Sequence, residues 1–187
     1  MSASGARVAI LVEDLYQDLE VWYPYYRLRE AGAEPVFVGT GKAEYKGKYG
    51  YPVVPHTTAD RISAAQFDAV IVPGGYAPDH LRRYPAVLKL VREADRGGKV
   101  LGAICHAGWV LCSADVVRGK TLTCFSAIKD DLVNAGARYV DRAVVRDGQL
   151  ITSRKPDDLP AFMAAILQAL DDRTNAPVRT RSARARH

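Results

Sequence analysis

Short, wholly apolar runs alternate along this chain with longer stretches of mixed polarity. The run Val8-Ala9-Ile10-Leu11-Val12, within a strand expected over 7–12, has the length and β-branched content of a strand buried on both faces. A helix is expected over 18–31, stopped by Gly32, with Leu19, Trp22, Tyr23, Tyr26 and Leu28 near one face. Pro24 inside it predicts a kink or a later start, because proline removes a helical hydrogen bond. A second strand follows at 36–38, and the segment 41–54, broken by Gly47 and Gly50, predicts a hairpin-like excursion. Asp68-Ala69-Val70-Ile71-Val72 is a further buried strand, closed by Pro73-Gly74-Gly75. Residues 85–96 predict a helix stopped by Gly97-Gly98, then come a strand at 100–104 and a short helix at 107–112.

Beyond that point the pattern gives a strand at 121–124, a helix at 128–135 and a hairpin around Asp147-Gly148 with strands at 143–145 and 150–152. A last helix over 157–170 has Pro160 in its first turn. No internal repeat interrupts this rhythm. It predicts an α/β fold: a mainly parallel sheet sandwiched between helices in three flavodoxin-like layers, with function gathered at the carboxyl ends of the strands.

With 187 residues, one domain over 1–172 is expected. The net charge of +5 invites a nucleic-acid reading until its position is noted. Residues 173–187 hold Arg173, Arg179, Arg181, Arg184 and Arg186 and no acid, so residues 1–172 carry equal numbers of basic and acidic side chains. The segment reads as a basic, disordered tail, and nucleic acid is not the expected partner. No run approaches the roughly 18 consecutive apolar residues of a membrane span, and the start is short and polar, so no membrane partner and a cytoplasmic location are expected. Cys105, Cys112 and Cys124 are odd in number and fit neither a disulfide framework nor a zinc site. Free thiols are expected, and His56 and His80 lack metal-ligand spacing.

The chemistry concentrates in Gly102-Ala103-Ile104-Cys105-His106-Ala107-Gly108. A cysteine between a buried strand and a helix, flanked by small residues, has the form of a nucleophile elbow. Proximity to the helix N-terminus is expected to lower its pKa. Gly74 and Gly75 end a second buried strand and permit close backbone approach to a ligand. Backbone N–H groups of Gly75 and His106 form a candidate oxyanion hole.

These residues, with Tyr-Pro-Tyr at 23–25, Ile-Lys-Asp-Asp at 128–131 and Asn-Ala-Gly at 134–136, make the chain resemble the ThiJ/PfpI superfamily, with its class I glutamine amidotransferase-like fold, and within it the PfpI-type branch. The resemblance runs from about Val8 to Leu170. It implies a cofactor-independent enzyme with Cys105 as nucleophile, His106 beside it and the acid Glu20 near the sulfur. It also implies Asp79 as a partner of the histidine across a subunit interface, where relatives usually carry Glu, and site positions at Lys48 and Phe125, the latter tyrosine in some relatives. A homodimer or hexamer follows from the same resemblance, with Tyr16, Tyr45, Tyr49, Tyr51 and Tyr76 as candidate interface aromatics.

Three functions remain open. The first is a stress-related enzyme acting on reactive carbonyls or glycated adducts, of glyoxalase or deglycase type. The second is an intracellular peptidase using Cys105, His106 and Asp79 on a peptide. The third is a redox sensor in which Cys105 is oxidised.

Overall fold

The computed structural model describes residues 3–174. Seven strands make the central sheet: β1 (Arg7–Leu11), β2 (Glu34–Gly39), β5 (Thr57–Thr58), β6 (Ala69–Val72), β7 (Val100–Ile104), β10 (Val144–Asp147) and β11 (Leu150–Ser153). Their spatial order is β10-β11-β7-β6-β1-β2-β5, parallel throughout except where β10 runs against β11. Two small sheets lie outside it, the antiparallel pair β3 (Tyr45–Lys46) and β4 (Pro52–Val53) and the parallel pair β8 (Thr121–Leu122) and β9 (Arg138–Tyr139). The helices are α1 (Asp18–Glu30), α2 (Ala77–Leu81), α3 (Pro85–Arg96), α4 (Gly108–Ser113), α5 (Lys129–Asn134) and α6 (Leu159–Thr174).

The strands β1, β6 and β7 are buried almost end to end, as a parallel sheet covered on both faces requires. Helix α1 packs with α6, and α3 packs with α4 and on β6 and β7. Gly102 in the middle of β7 marks how tightly α6 sits on the sheet: a Cβ there would lie 2.8 Å from Ile166 Cδ1 and 3.1 Å from the Phe162 ring. The order has the consequence that matters for chemistry. Because β7, β6 and β1 are adjacent, the segments leaving their carboxyl ends, at Cys105, Gly74 and the approach to α1, meet at one place.

The expected fold and its main elements are present, with instructive differences. Pro24 neither breaks nor delays α1, which starts at Asp18 behind an N-cap at Gln17. The expected apolar face holds in part: Leu28 is buried and Trp22 and Tyr23 pack half-buried against the core, but Leu19 and Tyr26 are exposed, and Glu20, Val21 and Pro24 are buried instead, with Trp22 against Phe37 and Tyr51. The stretch 45–53 covers the outer side of α1, so apolar residues occur around much of the helix and periodicity misassigns part of its inner face.

The hairpin turn is Gly148-Gln149, one residue later than expected, since Asp147 pairs with Leu150. The last helix begins after a 3₁₀ turn at Pro156–Asp158 and runs four residues beyond 170, so that Arg173, assigned to the tail, is helical and donates to the Gly98 carbonyl. The remainder of the basic tail, from residue 175, lies outside the described residues. Among the described residues, no helix is long and apolar enough to cross a membrane. Of the aromatics expected at an interface, Tyr16 and Tyr45 are fully buried, Tyr45 because its hydroxyl accepts N–H bonds from Thr40, Gly41 and Lys42. Tyr49, Tyr51 and Tyr76 are exposed.

Phe162 is wholly buried between α6 and the sheet, so Phe162→Ala removes both contact area and the means to refill it. A stability loss of about 3–5 kcal/mol is expected from urea unfolding, with the slope against denaturant unchanged.

Candidate active site

Cys105 leaves β7 with φ of +62°, left-handed backbone that a residue with a Cβ adopts at a cost of about 1–3 kcal/mol. The turn is held from outside: Phe125 N–H donates to the Cys105 carbonyl at 3.1 Å, and a single 3₁₀ turn leads into α4. The conformation brings the buried side chain against Gly74, beside Glu20.

Gly74 lies beneath it. A Cβ on Gly74 would stand 2.6 Å from Cys105 Cβ, 2.7 Å from Glu20 Oε2 and 3.0 Å from Cys105 Sγ, so only glycine lets these three segments close on one another. Gly75, at φ of +79°, is packed against the backbone of Leu15, Tyr16 and Gln17. The loop from β1 to α1 ties this together. Gln17 N–H donates to Gly74 O, Tyr76 N–H to Leu15 O and Lys48 N–H to Tyr16 O, at 3.1, 2.9 and 2.9 Å.

Glu20, in the first turn of α1, has no solvent exposure. Its Oε2 accepts the Gly74 N–H at 2.7 Å, while its Oε1 is buried with no hydrogen-bond partner among the described residues. Burial therefore pushes the carboxyl up to about 7, against the pull of the Gly74 N–H, of Cys105 and of Lys48. The neighbouring sulfur is shifted in the same sense. Burial, reinforced by the charge of Glu20, pushes the Cys105 thiol up to about 12, although N–H groups of Gly75 and His106 both bond it.

The expected lowering by a helix N-terminus is thus overturned: α4 is only six residues long, it begins three residues after Cys105, and desolvation outweighs the backbone donors. Groups this close titrate as a pair. Between about 7 and about 12 the two hold one proton and one negative charge between them. The carboxyl gives up its proton before the thiol, so the charge rests mainly on Glu20 and the thiolate arises when the sulfur's proton passes to Glu20, leaving the sulfur facing two N–H donors.

His106 Nδ1 is 3.2 Å from Cys105 Sγ. Burial, with a smaller push from Lys48, holds the imidazole below its ordinary pKa and therefore neutral at neutral pH. The ring stacks on Phe125 at 4.9 Å and meets Trp109 edge-on at 5.3 Å, which fixes its orientation. Cys105, His106, Gly75, Lys48 and Phe125 line a cavity of about 190 Å³ together with Gln17, Tyr76 and Pro156. The sequence singles out neither Gln17 nor Pro156, and Tyr76 only as an interface aromatic. Tyr76 directly follows Pro-Gly-Gly and Gln17 stands three residues before Glu20, so proximity in sequence was a usable signal for both; nothing marked Pro156.

Asp79 is not brought to this cavity. It is exposed on α2, with no side-chain hydrogen bond or ion pair among the described residues. Cys124 is buried and its thiol is pushed up to about 12 by burial, and Cys112 is half-buried in α4; neither lines the cavity. A larger groove of about 510 Å³, walled by Trp22, Tyr26, Tyr49 and Tyr51, lies on the outer side of α1 and contains no nucleophile. Among the described residues, no group of three or more His, Cys, Asp or Glu side chains is placed to hold a metal ion.

A model of the DJ-1/PfpI family matches residues 6–169. The chain is 41% identical over 168 residues to the Escherichia coli protein named protein/nucleic acid deglycase 2, covering 88% of this chain and 97% of that one. It is 38% identical over 164 residues to a Pyrococcus horikoshii protein named as a deglycase, covering 88% and 99%. Among solved structures, Drosophila melanogaster DJ-1beta superposes with a TM-score of 0.84 at 31% identity, covering 89% of this chain and 90% of that one. A two-domain Anabaena variabilis protein with DJ-1/ThiJ/PfpI-like and ferritin-like domains superposes with a TM-score of 0.87 at 46% identity; the match covers 88% of this chain and 50% of that one.

The shared proton sets an expectation for pH. Alkylation of Cys105 by iodoacetamide, followed by mass spectrometry of its peptide, is expected to accelerate about tenfold between pH 6 and pH 8 as the pair loses its first proton near 7. A rate that stays flat to pH 9 contradicts the pairing.

Proposed function

The chain belongs to the DJ-1/PfpI family, and from that membership we propose that it is an enzyme acting on reactive carbonyls or early glycation adducts, of glyoxalase or deglycase type, with Cys105 as nucleophile. The observation that carries this reading is the closure of Cys105 Sγ, Glu20 Oε2 and the Gly74 backbone on one another, which supplies a nucleophile and a proton at the same point. The names of the relatives support the deglycase class.

With methylglyoxal as the simplest substrate, the Cys105 thiolate adds to the aldehyde carbon. A sulfur–carbon bond forms, the carbonyl π bond opens, and the oxygen takes the proton held by Glu20, giving a hemithioacetal. The N–H groups of Gly75 and His106, which bond the sulfur beforehand, are the donors this reading gives to the charge that develops on the adduct. Neutral His106 then removes the proton from the carbon joined to sulfur, giving an enediolate; the hydroxyl proton passes from that carbon's oxygen to the neighbouring oxygen, and His106 returns its proton to the neighbouring carbon. The result is a thioester. Water hydrolyses it, releasing lactate and restoring Cys105, so the sum is addition of one water with no external oxidant or cofactor. For a glycated amine, a hemiaminal, sulfur replaces nitrogen at the hydroxyl-bearing carbon: the carbon–nitrogen bond breaks as the sulfur–carbon bond forms, the amine leaves with the proton held by Glu20, and the same hemithioacetal results.

The peptidase alternative draws on the 3.2 Å approach of His106 Nδ1 to Sγ. It requires Asp79 from a neighbouring copy, since within one chain that residue stands outside the cavity. A homo-oligomer belongs to either reading, with exposed Tyr49, Tyr51 and Tyr76 as interface candidates.

Purified protein is expected to consume methylglyoxal and produce lactate, with Cys105→Ala at least about 10³-fold slower and Glu20→Gln about 10²-fold slower. Equal consumption by wild type and Cys105→Ala would falsify the carbonyl reading. Light scattering is expected to give a dimer or larger; a strict monomer removes Asp79 from the site.

A further inference from the structure

The cavity contains two hydrogen-bond donors for which the described residues provide no acceptor. Gln17 is 94% buried, and its Oε1 is committed to the N-terminus of α1, accepting N–H bonds from Leu19 at 2.7 Å and Glu20 at 3.3 Å. That fixes which end of the amide is left over: Nε2, with two N–H groups, has no partner among the described residues, and the residue lines the Cys105 cavity. Unlike Glu20 Oε1, this nitrogen is not sealed off: its two N–H groups reach the cavity, where a ligand can accept them.

Lys48 lines the same cavity. Its ammonium makes no ion pair among the described residues, its one recorded contact being with the Tyr49 ring at 5.0 Å, yet its charge reaches both Glu20 and His106. The backbone beneath it is fixed. Asp18 accepts the N–H groups of Tyr49 and Tyr51 at 3.1 and 3.3 Å, and Lys48 N–H itself is bonded to Tyr16 O. The loop is held while the side chain keeps its charge for a ligand.

Apart from the charge that Cys105 shares with Glu20, the other walls carry none that opposes an anion. Gly75, Phe125 and Pro156 carry no charge, His106 is neutral, and Tyr76 stands at the rim. The negative charge that faces the cavity is the one shared by Cys105 and Glu20, which Lys48 balances. At about 190 Å³ the cavity suits a ligand of a few heavy atoms.

We propose that Gln17 and Lys48 form a carboxylate-receiving subsite beside Cys105, so that the preferred substrates are small carbonyl compounds bearing a carboxylate next to the reacting carbon rather than neutral dicarbonyls. The inference rests on Cys105 being the nucleophile, as proposed above. The amide N–H groups and the ammonium donate to one carboxylate between them and leave the adjacent carbonyl facing the sulfur. A neutral analogue leaves both donors unmet, which is how polar pockets discriminate most strongly.

Two reagents of nearly equal size test this without requiring turnover. Iodoacetate and iodoacetamide both alkylate Cys105 with a new sulfur–carbon bond and departure of iodide; they differ in charge. The ratio of their rate constants, read at pH 8 and low salt from the Cys105 peptide, cancels any change in thiol reactivity. Lys48→Gln is expected to lower the iodoacetate-to-iodoacetamide ratio about fivefold or more. Gln17→Glu, which retains the acceptor for α1, is expected to lower it by a similar factor, while Lys46→Gln on exposed β3 leaves it unchanged. Steady-state kinetics are expected to show a KM for glyoxylate that rises in both cavity variants more than the KM for methylglyoxal. An unchanged ratio in Lys48→Gln and Gln17→Glu, or an equal fall in Lys46→Gln, overturns the subsite and leaves the nucleophile reading intact. No alkylation of Cys105 by either reagent overturns both.

Discussion

A carboxyl group and a sulfur, both withdrawn from water and sharing one proton, set the terms for the architecture around them. Neither group is stable there as a lone charge, since Glu20 Oε1 has no donor and the Cys105 thiol resists ionisation. The arrangement persists because backbone N–H groups reach both: Gly74 to the carboxyl, Gly75 and His106 to the sulfur. Those donors come from turns after two neighbouring strands and the carboxyl from the helix after a third. The strand order is therefore a condition of the chemistry. Moving any one of β1, β6 or β7 out of adjacency would strand a buried ionisable group.

Much of this was legible in the chain. The buried strands announced themselves as continuous apolar runs, and Pro73-Gly74-Gly75 and Ile104-Cys105-His106 marked abrupt ends where backbone geometry is unusual. What local pattern could not give was pairing. The association of β8 with β9 depends on two-residue segments too short for any period, and α2 is a single helical turn after Tyr76. The inner face of α1 was misread in part for a related reason: Glu20 and Pro24 are buried, and neither looks like core to a hydrophobic pattern. On composition alone Glu20 is a surface acid, and it was the family resemblance that placed it near the sulfur.

The thiol shows the opposite limit. Helix N-termini lower cysteine pKa values, but the rule assumes a helix long enough and close enough to act, and a sulfur still partly in water. Here burial dominates, and reactivity passes to a coupled pair whose first proton is lost near neutrality. Gln17 belongs to the same lesson. Read from sequence it is an unremarkable residue before a helix; in the structure, capping with its oxygen turns its nitrogen into a directed donor.

The left-handed backbone at Cys105 has a consequence for how this protein can change. Glycine would occupy that φ without steric penalty and would take the sulfur away from a buried acid, so Cys105→Gly relieves two unfavourable terms at once. A population of variants selected for thermal robustness alone would be drawn to this substitution. The position most profitable to repair is the one where repair removes the sulfur on which the proposed activity rests.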